Sequence, residues 1–309
     1  MFLVIVMYML FASTFTIGKA VLQYLNPIFF IGVRMTIGGS LLLLFLLLFR
    51  RKQLYIKKQH LFLFLQIAFF HIFIAYIAEF WALQYLTSFK TALIYNLSPF
   101  FAAIFAFIFF HERMTKQKWL GLAIGFLGFS VILANGQSSS EITKLAFGFL
   151  SWPEIILIIS VLSAAYGWSI FKKLIQKEGY SPIVVNGFGM ISGGFAALLL
   201  SFFIEGAPTI KTASSSLIFD ILACSGYSLL LILIANIICY NLYGYLLKKY
   251  SITFLSFAGF ITPLFAALFG NIFLKEIPSV YFFLSFIIVS IGLYIFYQAE
   301  LMQGYIKKD

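Results

Sequence analysis

Acidic residues are scarce in this sequence. Its 309 residues include ten aspartates and glutamates against 21 lysines and arginines, a formal net charge of +11. Charged residues of both signs make up 10% of the chain, where a soluble globular domain carries about a quarter. Too few charges are present to cover a water-facing surface. Cysteine is nearly absent as well. Cys224 and Cys239 fall on one predicted helix and, at 1.5 Å of rise per residue, stand about 22 Å apart, beyond disulfide reach. They read as small core residues and say nothing about redox compartment. Catalytic signatures are missing: no Gly-x-x-x-x-Gly-Lys phosphate loop, no Gly-x-Ser-x-Gly elbow, no His-Glu-x-x-His zinc pair and no acidic pair for a metal diphosphate. An ATP-driven pump within the chain is thereby excluded. No cofactor and no metal are expected, and the chain does not read as an enzyme.

What is present is apolar. Hydrophobic residues make up 62% of the chain, and the mean hydropathy is +1.03. Several apolar stretches reach 18 residues or more, the length that carries a helix across about 30 Å of hydrocarbon. A membrane barrel needs short alternating segments instead, and runs such as Leu41 to Phe49 do not alternate. The fold class is an all-α membrane protein. Ten spans are predicted, near 2–22, 28–49, 61–82, 88–110, 117–135, 155–172, 182–204, 222–246, 251–273 and 279–298. The first apolar run starts at Phe2 without a basic region before it or a small-x-small cleavage site after it. It is expected to be a span and not a cleaved signal peptide.

The basic residues orient these spans. With the N-terminus in the cytoplasm, fifteen lysines and arginines fall in inside loops, and four (Lys90, Lys144, Lys211 and Lys275) fall outside. That bias places both termini in the cytoplasm. It also accounts for the positive charge without nucleic acid, because no soluble basic face exists to bind one.

One stretch occurs twice. Asn96-Leu97-Ser98-Pro99 runs on to His111-Glu112-Arg113, and Phe260-Ile261-Thr262-Pro263 runs on to Lys275-Glu276-Ile277. In each copy a glutamate follows the proline by thirteen residues, and one gap-free offset of 164 carries on to Gly128 and Gly292. This is an internal duplication. Two repeats of five spans, an odd number, insert in opposite senses, which is the inverted repeat of secondary transporters. The expected organisation is a first five-helix repeat at 1–136, an extracytoplasmic linker at 137–154, a second repeat at 155–300 and a cytoplasmic tail at 301–309.

Two five-helix halves, each with a central proline and a glutamate closing its fourth helix, resemble the ten-span EamA branch of the drug/metabolite transporter superfamily. Further matching details are Phe11-Ala12-Ser13-Thr14-Phe15 with Gly18-Lys19, Pro27 followed by Arg34, and Ala82-Leu83-Gln84-Tyr85. The resemblance covers nearly the whole chain and implies a carrier of amino acids, drugs or metabolites. Within the superfamily there is a looser likeness to the S-adenosylmethionine transporters of intracellular bacteria.

Three ionisable residues lie inside spans: Lys19, Arg34 and Glu79. Depth counting puts all three in the outer third of the bilayer. A buried charge needs a partner, so Glu79 is expected to pair with Lys19 or Arg34, leaving one positive charge. That cluster is read either as a site for an anionic group or as a structural ion network with Lys19 snorkelling outward. A second, mid-membrane set comprises Ser13, Thr14, His71, Tyr76, Tyr95, Asn96, Ser98, Ser163, Tyr166, Trp168, Asn236, Tyr240 and Thr262. Singly, each reads as a helix-packing polar group. Together they suggest an aromatic-lined cavity suited to a planar or cationic substrate. His71 is not assigned a coupling role. Pro99 and Pro263 are candidate hinges. Gly121–Gly125 and Gly189–Gly193 are candidate close-packing faces, and Glu112 and Glu276 are expected to be end-of-span anchors.

These readings combine into a secondary transporter in the inner membrane of a bacterium. It would move an amino acid or an S-adenosylmethionine-like compound by alternating access, as a monomer or homodimer. The alternative is a polytopic membrane enzyme or receptor, for which pseudo-symmetry across the membrane has no use.

Overall fold

The computed structural model describes residues 2–110, 114–134, 145–147, 150–207, 209–211, 216–250, 255 and 258–303. Glu112, most of the linker and the tail beyond 303 lie outside the described residues. Helix dominates the described residues. The helices are α1 (Phe2–Val21), α2 (Pro27–Phe49), α3 (Lys58–Leu83), α4a (Ser88–Tyr95) with α4b (Ser98–Phe110), and α5 (Lys116–Ala134). Then come α6 (Trp152–Gln176), α7 (Pro182–Ile204), α8 (Leu217–Leu246), α9 (Gly259–Leu274) and α10 (Val280–Met302). Seven of them, α1, α2, α3, α6, α7, α8 and α10, are long and apolar enough to cross a membrane. Large apolar side chains such as Phe202, Phe203, Ile218, Leu222 and Phe273 are exposed, and only 22% of the apolar window of α8 is buried in the protein. Hydrocarbon is the solvent that matches such a surface. The chain is a multi-pass membrane protein.

The fold class is all-α, and one small element adds to it: Leu145–Phe147 and Leu150–Ser151 form a short antiparallel hairpin ahead of α6. Ser151 ends that hairpin and caps α6 in a capping box with Glu154, so α6 starts at Trp152 and not near 155. Similarly, Ser216 caps α8, which starts at Leu217 and not near 222. Hydropathy alone missed both starts because a cap is set by hydrogen bonding and not by apolar content.

The prolines lie at helix starts. Span four is broken, with Asn96 and Leu97 bonding back to Leu93 and Ile94 in three-residue turns. Pro99 sits in the first turn of α4b, and Pro263 likewise in the first turn of the α-helix Thr262–Leu274, after a 3-10 turn at Gly259–Ile261. A first-turn N–H has no intrahelical acceptor, so proline removes nothing there. The two prolines restart helices and do not kink continuous ones.

Paired helices from the two halves make the densest packing, α2 on α7 and α5 on α10. Both pairs run antiparallel. In the first, Gly32 meets Leu198, Gly194 meets Thr36, and Gly39 meets Ile191. In the second, Gly121 meets Gly292, Gly128 meets Val289, and Ser285 Oγ donates to the Gly128 carbonyl. A Cβ added at Gly292 would lie 2.6 Å from both the Gly121 carbonyl oxygen and the Gly125 nitrogen. Both of these are backbone atoms that cannot rotate away.

The α5–α10 contact therefore sets a measurable expectation. Gly292→Val should destabilise the protein by about 1–3 kcal/mol through overpacking, seen as a lower melting temperature in detergent. Gly226→Val, on the exposed face of α8 with nothing within 4 Å, should leave melting unchanged apart from helix propensity.

Candidate functional site

Helix irregularities converge on one cavity between the halves. The break between α4a and α4b lies on one side of it and the 3-10 start of α9 on another. α3 and α8 each carry an eight-residue π-helical segment, Ile67–Ile74 and Ile232–Cys239. Such segments shift the side-chain register and recur at functional sites. The cavity has a volume of about 140 Å³, roughly ten times the minimum of about 10–15 Å³ for one water.

One wall is aromatic. Trp168 packs on Tyr243 and His71 with ring centroids 4.1 and 4.3 Å away, and on Tyr240 at 5.5 Å. The Tyr240 hydroxyl is hydrogen-bonded to that of Tyr76, its counterpart 164 residues earlier. Asn96 reaches the carbonyl of its own counterpart, Phe260, through a long contact of 3.5 Å. Tyr8, Phe11 and Phe15 of α1 complete the ring-rich lining.

Toward the other end the cavity is charged. Arg34 is 1% exposed. Its Nε donates to Asn236 Oδ1 at 2.8 Å, and its guanidinium carbon lies 5.1 and 5.2 Å from the ring centroids of Tyr76 and Phe80. Among the described residues Nη1 of Arg34 has no hydrogen-bond partner. Glu79 accepts from the Tyr95 hydroxyl at 2.7 Å, and Tyr95 is held in turn by Ser160 at 2.8 Å. Thr14, Asn96, Ser98, Pro99 and Thr262 also line this space. The arrangement offers a fixed cation and a carboxylate near each other, with stacking surfaces alongside. Among the described residues no three His, Cys, Asp or Glu gather to hold a metal ion.

Of the residues singled out in the sequence, Thr14, Arg34, His71, Tyr76, Glu79, Tyr95, Asn96, Ser98, Pro99, Trp168, Tyr240 and Thr262 line this cavity. Ser13, Lys19, Ser163, Tyr166, Asn236 and Pro263 do not. The Ser13 hydroxyl bonds back to the Leu10 carbonyl, and Ser163 bonds the Phe70 carbonyl. Tyr166 accepts from Gln66. Asn236 stands behind Arg34. Tyr8, Phe11, Phe15 and Tyr243 were missed, although positions 8, 11 and 15 share one helical face, as do 240 and 243.

Of Lys19, Arg34 and Glu79, the last two line the cavity together and Lys19 lies apart from them. Lys19 pairs with Glu276 at 2.8 Å and donates to the Leu86 carbonyl. Glu276 also accepts from the backbone N–H and hydroxyl of Ser88 at 2.9 and 2.5 Å. It is a buried link between halves and not a simple end-of-span anchor. Two more cross-half links lie at the same end of the bundle. Lys90 pairs with Glu154 at 2.5 Å, and Glu205 caps α2 by accepting from the N–H groups of Ile28 and Phe29. Sequence depth brought Lys19 and Glu79 to similar heights, but their azimuth around the bundle is set by packing.

Both halves, residues 1–134 and 151–298, match the model of the EamA-like transporter family. The chain belongs to that family. It is 30% identical to an S-adenosylmethionine/S-adenosylhomocysteine transporter of Chlamydia muridarum, over 99% of this chain and 93% of the relative. A Chlamydia trachomatis protein of the same description is also 30% identical, over 99% of this chain and 91% of its own length. An uncharacterized Bacillus subtilis transporter, YoaV, is 25% identical over 93% of this chain and 92% of its own. A protein crystal structure, 16% identical, superposes over 98% of this chain and 97% of its own with a TM-score of 0.64, which shows a common fold. In this EamA protein each repeat supplies one tyrosine of the Tyr76–Tyr240 pair, so the cavity is built by both halves together.

The Lys19–Glu276 link gives a testable energetic signature. Lys19→Ala leaves the Glu276 carboxylate with only its Ser88 hydrogen bonds and should lower the melting temperature, since a hydrogen bond to a charged group is worth about 1.5–3 kcal/mol. Adding Glu276→Gln should recover part of that loss. Additive losses in the double-mutant cycle would show that the two side chains are not coupled.

Proposed function

We propose that this EamA-family protein carries S-adenosylmethionine, in exchange for S-adenosylhomocysteine, across the inner membrane of a bacterium. The observation that carries the reading is the unpartnered Nη1 of Arg34 at the charged end of an aromatic-lined cavity. An amino acid presents a carboxylate and an ammonium a short distance apart. Arg34 receives the carboxylate through charge-assisted hydrogen bonds, and Glu79 attracts the ammonium. The adenine and the sulfonium centre lie toward Trp168, Tyr240 and Tyr243, where stacking and cation–π attraction act. The homocysteine form keeps the amino-acid head and the adenine and loses only the methyl group and its charge. The same site therefore accepts both, which is what exchange requires. The names of the chlamydial relatives support this substrate class over amino acids in general.

The transport cycle is alternating access between two inverted five-helix halves, 1–136 and 155–300, joined by the linker at 137–154 and followed by the tail at 301–309. In this reading the apolar runs make ten spans and the charge bias puts both termini in the cytoplasm. The antiparallel packing of α2 on α7 and α5 on α10 supports the inversion. So do the contacts Tyr76–Tyr240 and Asn96–Phe260, because residues that meet their own counterparts lie on a two-fold axis. In this orientation Lys19–Glu276, Lys90–Glu154 and the Glu205 cap all fall at the outer end, so these cross-half links close the cavity toward the outside. Pro99 and Pro263, each in the first turn of an α-helix, act as the hinges. The protein works as a carrier and not as an enzyme.

Purified protein in liposomes loaded with S-adenosylhomocysteine should take up labelled S-adenosylmethionine, and faster than empty liposomes do. Arg34→Ala should cut uptake at low substrate by about 10- to 100-fold, the range for losing a hydrogen bond to a charged group. Glu79→Gln should weaken it less. No flux by the unaltered protein, or unchanged flux in Arg34→Ala, overturns the proposal.

A further inference from the structure

Arg34 is oriented by a residue that never touches the cavity. Asn236 is fully buried and sits within the π-helical segment of α8. Its Oδ1 takes the Nε proton of Arg34 at 2.8 Å, and its Nδ2 faces the sulfurs of Met35 and Met190 at 3.1 and 3.6 Å. Asn241, one turn on, donates to the carbonyls of Ile237 and Asn236 at 2.8 and 3.4 Å and accepts from Asn186 of α7 at 3.1 Å. The π-helical backbone that presents Asn236 is thus pinned by a second amide and tied to the neighbouring helix. Room for Asn236 exists because α2 has a glycine opposite: a Cβ at Gly38 would stand 2.9 Å from the Asn236 Cβ.

A guanidinium has five donors in a planar fork. An acceptor fixed at Nε sets the plane of that fork, and the rings of Tyr76 and Phe80 flank it. A neutral amide is the acceptor that sets the plane without cancelling the charge. An aspartate in the same place would form an ion pair with Arg34 and neutralise it.

We propose that Asn236 is a positioning residue that orients Arg34 without itself adding a cancelling charge, and thereby sets the preference for substrates that carry a carboxylate. This rests on the reading of Arg34 as the carboxylate receptor. The isosteric Asn236→Asp keeps the shape and supplies the cancelling charge. Asn236→Ala removes the orienting acceptor. Gly38→Ala displaces Asn236 without deleting it.

The measurement is the ratio of inhibition constants for S-adenosylmethionine and its decarboxylated analogue, each competing for labelled substrate in liposomes. The unaltered protein should prefer the carboxylate form by at least about tenfold. In Asn236→Asp the ratio should fall close to one, with the decarboxylated analogue binding within about threefold of its original strength, since only the charge interaction is lost. Asn236→Ala and Gly38→Ala should each lower the ratio several-fold. A merely structural role would weaken both ligands together and leave the ratio unchanged, and that result in the variants overturns the proposal. A ratio near one in the unaltered protein instead overturns the carboxylate reading of Arg34 itself. If Asn236→Asp melts before it can be assayed, the ratio in Gly38→Ala decides between these outcomes.

Discussion

A guanidinium held at 1% exposure inside a membrane bundle is the constraint to which the rest of this structure answers. A charge at that depth is costly unless the protein surrounds it with acceptors and polarisable faces. Here the neighbours are one amide, two aromatic rings and a carboxylate in the same cavity wall. The π-helical segment of α8 is part of that arrangement, since it turns Asn236 toward α2. So is Gly38, whose missing side chain leaves room for the amide. Arg34 also lines the cavity, and among the described residues its Nη1 has no hydrogen-bond partner.

The duplication explains why a cavity forms between the halves at all. Related helices meet in antiparallel pairs, and related tyrosines meet hydroxyl to hydroxyl. The correspondence shows in these packed helix pairs and is broken in the charges. The register that aligns Pro27 with Pro182 aligns Arg34 with Gly189, so only one half carries the cation. Asn96 and Ser98 correspond to Phe260 and Thr262. A fully symmetric cavity would bind a molecule equally well in two orientations. The drift of these positions selects one polarity, with a charged end and an aromatic end.

Links between the halves are distributed unevenly. At the end holding Lys19, three carboxylates (Glu276, Glu154 and Glu205) each reach across to the first half. At the opposite end His60 meets Glu178 at 3.2 Å, with the glutamate side chain 29% exposed, and the Tyr180 hydroxyl joins His60 and the Lys57 N–H. Among the described residues, the end holding Lys19 therefore carries more carboxylate links between the halves than the end holding His60.

Much of the architecture was legible without coordinates. Apolar run length and the scarcity of charge specify a helical membrane protein, because hydrocarbon admits few other structures. The 164-residue offset specifies the duplication, and it reappears as the Tyr76–Tyr240 contact. These are local or periodic properties of a chain, and a sequence carries them directly. The break in span four, the cap of α6 at Ser151 and the π-helical turns were not legible, because hydrogen-bond register is invisible to hydropathy. Nor were the partners of the charges. Lys19 finds Glu276, 257 residues away, while Arg34 finds Asn236 and Glu79 finds Tyr95. Depth in the membrane can be counted along a helix. The direction a side chain faces depends on how the helices pack, and only the tertiary structure decided that.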